Sequence, residues 1–122
     1  MQKIDGTTIG ITRGDILSLN LSLQTEAGTA YTFQPNDKIK FSVYTKGKMD
    51  ADPVLEKSIT IAEATQTVTI SCTNEDTKIG GYINKPVDYW YEIELNDENT
   101  VLGYDDKGPK ILKLYPEGKE SE

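Results

Sequence analysis

Alternation of leucine with polar residues is the clearest pattern in the chain. Leu17, Leu19, Leu21 and Leu23 take every second position, and the positions between them are filled by Ser18, Asn20, Ser22 and Gln24. Side chains two residues apart share one face of a β-strand, whereas on a helix these leucines would spread around the axis. Residues 16–24 are therefore predicted to form a half-buried strand with one face in water.

The same period-two pattern recurs along the chain and predicts further strands. They are residues 8–12, 38–45, 54–61, 67–72, 87–95, 100–104 and 110–115, with a brief extended piece at 31–33. Short runs rich in Gly, Asn, Asp and Pro separate them, as expected of turns. Lys57 interrupts the apolar face of segment 54–61, and an inward charge of this kind is typical of a strand at a sheet edge.

Strand number and spacing define the expected fold class. Seven to eight short strands separated by tight turns predict an all-β fold, an antiparallel immunoglobulin-like β-sandwich, with a β-barrel as the alternative. Between two of the strands, a short helical turn is predicted near residues 73–79. Thr73 would cap it, with Asp76 three positions further on.

Length and charge narrow the domain organisation and the partners. The 122 residues fit a single β-sandwich domain over residues 1–115, followed by a charged tail, 116–122, that we expect to be mobile. The formal net charge of −7 opposes binding to phosphate backbones and to anionic membrane surfaces, so we expect neither nucleic acid nor membrane as a partner. No apolar stretch is long enough for a transmembrane segment, and residues 1–6 lack the apolar core of a signal peptide.

Side chains suited to catalysis are scarce in the sequence. The chain has no histidine, so Ser-His-Asp and Cys-His arrangements and most zinc sites cannot form. Its one cysteine, Cys72, ends an apolar strand face and is expected to be a buried small hydrophobe rather than a reactive thiol. No glycine-rich loop has the spacing of a nucleotide-binding motif. We therefore expect no enzymatic activity, no cofactor, no metal and no small-molecule ligand.

Acidic residues and one tripeptide suggest other chemistry, but each has a simpler explanation. Asp88, Glu92 and Glu94 alternate along the outward face of a predicted strand, where a carboxylate pair could hydrolyse glycosides. Acidic residues in the turns could bind calcium. A solvated strand face and ordinary turn chemistry explain both sets without a ligand. Residues 13–15 spell the integrin-binding tripeptide Arg-Gly-Asp, which we interpret as the end of a strand.

A candidate interaction surface is predicted around Trp90. Strand alternation places Trp90 on the face opposite Tyr89 and Tyr91. An exposed Trp90, with Tyr44 or Tyr104 nearby, would provide an anchor for a protein partner or a carbohydrate. Alternatively, neighbouring side chains or a loop cover Trp90, and the sequence leaves the two interpretations open.

Several strand-and-turn motifs of the chain resemble those of a known family. They are Ile11-Thr12-Arg13-Gly14-Asp15, Tyr31-Thr32-Phe33-Gln34-Pro35-Asn36-Asp37-Lys38 leading into Ile39-Lys40-Phe41, Asp52-Pro53-Val54-Leu55-Glu56-Lys57, Tyr91-Glu92-Ile93-Glu94-Leu95 and Leu102-Gly103-Tyr104. Across roughly residues 9–115, the pattern resembles the N-terminal domain of phage baseplate upper proteins and related phage and prophage proteins of Gram-positive bacteria. The resemblance implies an immunoglobulin-like sandwich and a structural role in a virion tail or baseplate, exerted through protein–protein contacts.

The resemblance and the missing chemistry together give the functional expectation. We expect a non-enzymatic virion component, a tail or baseplate assembly module made in the bacterial cytoplasm. Its partners would be other virion proteins or further copies of the same chain, joined through a sheet edge or an aromatic face. The alternative is a β-sandwich module that binds a carbohydrate or a host surface through Trp90 and nearby tyrosines.

Overall fold

β-Strands make up the regular structure of the protein. The structure is a computed structural model that describes residues 3–5, 7–25 and 27–117, with side chains described over 7–25 and 27–117. Within these ranges the strands are β1 Lys3–Asp5, β2 Thr8–Thr12, β3 Leu17–Leu21, β4 Lys38–Thr45, β5 Leu55–Thr60, β6 Val68–Cys72, β7 Val87–Leu95, β8 Asn99–Leu102 and β9 Lys110–Tyr115. No helix occurs in the described part of the chain, so the predicted all-β class is confirmed.

Two sheets of unequal size share one core. The larger sheet has the order β1-β2-β9-β7-β4-β5, with β8 also pairing with β7, and the smaller sheet contains β3 and β6. Leu17 and Ile70 of the smaller sheet and Ile11, Phe41 and Tyr91 of the larger sheet all belong to the buried cluster. The arrangement is consistent with the predicted β-sandwich, in which two sheets bury their apolar faces against each other.

One strand pair departs from the antiparallel arrangement predicted for the whole domain. β2 pairs with β9 in parallel, with Ile9 opposite Leu112 and Ile11 opposite Leu114. All four side chains are buried. Parallel neighbours require a long connection, and here the two strands come from opposite ends of the chain. The wholly antiparallel prediction was wrong at this pair because alternation along a strand carries no information about its partner.

Local predictions also differ from the structure in three places. The helical turn expected near residues 73–79 is not confirmed; the chain forms a hydrogen-bonded turn, in which Asp76 N donates to Thr73 Oγ1 at 3.2 Å and Thr73 N donates to Asp76 Oδ2 at 2.8 Å. The extended piece at 31–33 contributes only an isolated bridge. β1 was not predicted because its three residues are too few to show an alternation.

Arg13 connects the end of β2 to two distant segments. Its buried guanidinium donates from Nε to the carbonyl of Ile79 at 3.3 Å and from Nη2 to the carbonyl of Gly80 at 2.8 Å. Nη1 contacts the Glu117 carboxylate at 2.6 Å. The buried Arg13 side chain supports the strand-end interpretation of the Arg-Gly-Asp tripeptide. Glu117 belongs to the predicted tail, 116–122, of which residues 118–122 lie outside the described ones.

Replacing Arg13 with alanine should destabilise the fold. Arg13→Ala removes the donor to two carbonyls, one of them in a buried bond, and leaves Glu117 without this cation. We expect the free energy of unfolding to fall by about 2–3 kcal/mol in urea titrations, as for hydrogen bonds to a charged donor. Lys48→Ala, at an exposed position, should change it by less than about 0.5 kcal/mol. Equal effects of the two variants would contradict the assigned role of Arg13.

Two buried groups in the core keep their protons at high pH. Burial raises the pKa of Tyr91 from 10.0 to about 12, and its hydroxyl donates to the carbonyl of Thr7. Burial also raises the pKa of the Cys72 thiol from 9.0 to about 11. Cys72 is therefore a protonated core residue at neutral pH, as the sequence predicted.

Alkaline pH should destabilise the protein through these two groups. Both folded-state pKa values lie above the unfolded ones, so between about pH 9 and pH 12 the unfolded state has lost protons that the folded state retains. The free energy of unfolding should be constant up to about pH 9 and then fall. Tyr91→Phe should flatten the decline between pH 10 and 12, while Tyr82→Phe, at an exposed tyrosine, should not. Urea titrations across this pH range measure both, and an unchanged slope in Tyr91→Phe would contradict the assignment.

Candidate functional site

The outer face of the larger sheet carries the residues predicted as an interaction surface. Strand register aligns Tyr44 of β4, Trp90 of β7 and Ile111 of β9 in one row across the sheet. Tyr44 and Trp90 are half-buried, and Tyr104, in the loop between β8 and β9, is 60% exposed. We call Tyr44, Trp90 and Tyr104 the aromatic patch. Tyr91 is buried in the core, so the prediction that Trp90 faces the opposite way is confirmed.

Tyr104 packs against Trp90 and covers it in part. The ring centroids are 5.6 Å apart and the ring planes are inclined by 62°, an edge-to-face arrangement that aromatic pairs prefer. Trp90 Nε1 is buried and has no hydrogen-bond partner among the described residues. A buried N–H without a partner costs about 1–3 kcal/mol, so packing rather than hydrogen bonding holds the indole in place. Of the two interpretations of Trp90, the structure favours the covered one and makes Tyr104 the more exposed ring.

Tyr44 is held on the same face by a carboxylate. Its hydroxyl donates to Oε1 of Glu92 at 3.2 Å. The pKa of Tyr44 is raised, chiefly because the phenol is partly buried and also because the negative charge of Glu92 is close. Tyr44 is therefore a neutral hydrogen-bonded phenol at physiological pH. It lies directly opposite Trp90 in the β4–β7 pairing, where cross-strand side chains contact each other.

The β7–β8 hairpin brings the chain back toward this face. Asn96 and Asp97 have φ values of 56° and 58°, the left-handed conformation of the central residues of a type I′ turn, and Glu98 N closes this turn by donating to the Leu95 carbonyl at 3.1 Å. The register then shifts between Ile93 and Glu94. Ile93 pairs with Leu102 whereas Glu94 pairs with Thr100, which leaves Val101 as an extra residue in β8. An irregularity of this kind bends the strand that carries the extra residue. The chain leaves β8 immediately before Gly103 and Tyr104.

Gly103 allows the loop to lie close against the sheet. A Cβ atom at this position would be 2.8 Å from Cγ2 of Thr100 and 3.3 Å from Cβ of Glu92. The first distance is shorter than a van der Waals contact, so a larger residue would push the loop outward. Sequence reasoning did not assign Gly103 a role, although the glycine stands in the Leu102-Gly103-Tyr104 motif and a strand-end glycine can signal close backbone approach.

A tight turn follows Tyr104 in the chain. Asp105 and Gly108 exchange backbone hydrogen bonds of 3.2 and 2.9 Å, and the Asp105 carboxylate contacts Nζ of the buried Lys110 at 2.9 Å. The hydrogen bond from Lys110 lowers the pKa of Asp105, with a further contribution from the backbone of Lys107. Tyr104 therefore lies between Gly103 and a fixed turn. The sequence identified the turn but not the Asp105–Lys110 pair.

The outward carboxylates of β7 each have a separate partner. The carboxylate of Asp88 is 3.6 Å from Nζ of Lys113, and that of Glu94 is 3.4 Å from Nζ of Lys40. Glu92 accepts a hydrogen bond from the Tyr44 hydroxyl. These contacts cross to neighbouring strands rather than join the carboxylates to one another. The pairing supports their interpretation as a solvated strand face with compensated charge, in which each ion pair adds little stability.

Comparison of the chain with protein-family models, curated proteins and solved structures found no match. Across the described ranges, no group of three or more Cys, Asp or Glu side chains is placed to hold a metal ion. In the same ranges, no helix is long and apolar enough to span a membrane.

Trp90 is the only tryptophan of the chain, so its fluorescence tests how Tyr104 is positioned. Gly103→Ala should lift the loop from Glu92 and Thr100, expose the indole and shift its emission to longer wavelength. Gly81→Ala is the matched control, because a Cβ there meets no atom within 4 Å and should leave the spectrum unchanged. Identical spectra for both variants would show that Gly103 does not set the position of Tyr104.

Proposed function

We propose that this protein is a non-enzymatic structural component of a phage or prophage virion, an assembly module of the tail or baseplate that acts through protein–protein contacts. The observation that carries the proposal is the aromatic patch. Tyr104 is exposed, its ring packs edge-to-face against Trp90, and a hydrogen-bonded turn follows it directly in the chain. A rigid, exposed aromatic ring on a sheet face is typical of the residues that dominate protein–protein binding.

The fold that we propose in detail is an immunoglobulin-like sandwich. In support, β9, β7, β4 and β5 follow one another in the larger sheet as strands G, F, C and C′ do in a variable-type domain. β2 is then a first strand added beside G. The β3-β6 pair corresponds to strands B and E, and β8 is then an additional strand between F and G. This correspondence agrees with the fold that the family resemblance implies.

Motifs that carry the family resemblance coincide with residues that hold the fold. The Ile11-Thr12-Arg13-Gly14-Asp15 motif contains the Arg13 guanidinium that joins β2 to the carbonyls of Ile79 and Gly80. The Leu102-Gly103-Tyr104 motif forms the loop over Trp90. A resemblance carried by structural positions supports a proposal about a structural protein more than one about a chemical reaction.

Glycan binding is the second candidate function. The exposed ring of Tyr104 and the nearby carboxylates of the outer face favour it, since sugars stack on aromatic rings and hydrogen-bond to acids. The 62° inclination between Tyr104 and Trp90, however, does not provide a flat platform of two rings. Protein binding therefore remains the preferred function.

Purified virions provide the test of the proposed function. We expect mass spectrometry of phage particles induced from a strain that carries the gene to detect the protein. Tyr104→Ala should reduce its incorporation about tenfold or more, because truncating an anchoring aromatic side chain costs about 2 kcal/mol of binding free energy. Tyr82→Ala removes a tyrosine that is 53% exposed and does not belong to the aromatic patch, and this variant should be incorporated normally.

Absence of the unmodified protein from purified particles would refute the virion role. Binding of the purified protein to a glycan array, lost in Tyr104→Ala and retained in Tyr82→Ala, would favour the second candidate instead. Circular dichroism of both variants should match the parent protein, so that a difference in incorporation reports on the surface and not on folding.

A further inference from the structure

The strand edges of the two sheets differ in their protection against pairing with another chain. β5 lies at one edge of the larger sheet, as Lys57 on its apolar face predicted. Lys57 forms an ion pair with Asp76 at 2.8 Å. β1, at the opposite end of that sheet, is three residues long and contains Lys3 and Asp5 in its sequence. Short length and charged residues are the usual means by which proteins protect their sheet edges.

The edge of β3 lacks this protection. Within the described ranges β3 pairs with β6 alone, with Leu19 opposite Ile70 and Leu21 opposite Val68. Residues 16–25 include no charge, no proline and no glycine, although 27% of the chain is charged. The side of residues 19–21 that faces away from β6 can therefore accept the backbone of another strand.

An apolar groove lies beside this part of β3. Its volume is about 130 Å³, it is partly open, and its walls include Leu19 and Leu21 of β3 together with Ile9, Tyr91, Ile93 and Leu102. The residues that line it in the described part of the chain are all uncharged. A cavity of about 150 Å³ can hold benzene, so this groove has room for one aliphatic side chain. A strand added to β3 would direct alternate side chains toward it.

Charge indicates which kind of chain fits this position. The protein has a formal net charge of −7, and acidic residues flank β3 in the sequence, Asp15 before it and Glu26 after it. A second copy would bring the same negative charge and would be repelled at long range. A segment that is apolar at its centre and basic at its ends would instead be attracted.

We propose that β3 accepts an added strand from a partner protein, an extended segment with basic ends. Its backbone pairs with residues 19–21, and one of its apolar side chains fills the groove. The inference rests on the proposed function as an assembly module, because it specifies the kind of partner that the module takes. It concerns a surface separate from the aromatic patch, since the groove lies on the core side of the larger sheet and the patch on the outer side.

A designed peptide tests strand addition directly. The probe is a short peptide of alternating leucine and threonine with a lysine at each end, added to the full chain while backbone amide exchange is followed by NMR. We expect slower exchange at those amides of residues 19–21 that point away from β6, and no change along β5. Leu21→Phe should fill the groove and weaken peptide binding about tenfold or more. Leu23→Phe makes the same change two residues further on, at a position that does not line the groove, and should bind normally.

A second variant pair covers the case in which Leu21→Phe does not fold. Asn20 and Thr69 are both exposed and hydrogen-bond to each other at 2.8 Å, so Asn20→Lys and Thr69→Lys lose the same contact and add the same charge. Only Asn20→Lys places that charge on β3. It should weaken binding of the basic peptide at least about threefold more than Thr69→Lys, because a lysine on an edge strand opposes pairing.

Three outcomes would overturn the proposal. They are no binding at millimolar peptide, protection of β1 or β5 instead of β3, and protection of β3 by dimerisation without peptide, which would assign the edge to a second copy. Detection of the protein in virions together with an unprotected β3 edge would remove strand addition and leave the proposed function. Peptide binding by a protein absent from purified virions would refute the virion role and leave strand addition.

Discussion

Strand β7 pairs along both of its sides, with β4 on one side and with β9 and then β8 on the other. Because side chains alternate along a strand, Tyr91 and Ile93 are buried in the core while Trp90 lies on the outer face. A shift of one residue in register would exchange these two sets, which the burial of the core residues opposes. The core and the aromatic patch therefore depend on the same register, so the core packing that fixes the register of β7 also fixes the position of Trp90.

The loop after β8 adds to this surface by close backbone approach rather than by burial. Three features each restrict one part of the loop. They are the irregular β7–β8 pairing, the absence of a side chain at Gly103 and the contact between Asp105 and Lys110. Tyr104 consequently follows a constrained stretch of backbone and packs its ring against Trp90, although it is 60% exposed. A side chain that is positioned before binding loses less entropy when it binds, so this arrangement would favour a contact made through Tyr104.

Alternation predicted the strands well because burial on one face of a strand is a local property of the sequence. It placed β3, β6 and β7 and the opposite orientations of Trp90 and Tyr91. Features set by distant partners were not accessible in this way. The parallel β2–β9 pair, the carbonyls bound by Arg13 and the approach of Gly103 to Glu92 each join residues far apart in sequence or depend on exact backbone position. The cover over Trp90 was undecided for the same reason, since it comes from a loop whose direction no strand pattern specifies.

Charge is distributed unevenly between the two sheets, and this distribution has consequences for association. The outer face of the larger sheet contains acids and lysines in pairs, whereas the segments 16–25 and 64–74, which include both strands of the smaller sheet, contain no charged residue. Repulsion between copies of net charge −7 acts over about a Debye length, roughly 8 Å at physiological salt, and opposes self-association at either sheet. Within a contact, backbone pairing and apolar fit contribute most at the smaller sheet, while a contact at the larger sheet must also match its paired charges. The two proposed contacts therefore differ in kind, since backbone pairing would carry the one at β3 and side-chain packing the one at the aromatic patch.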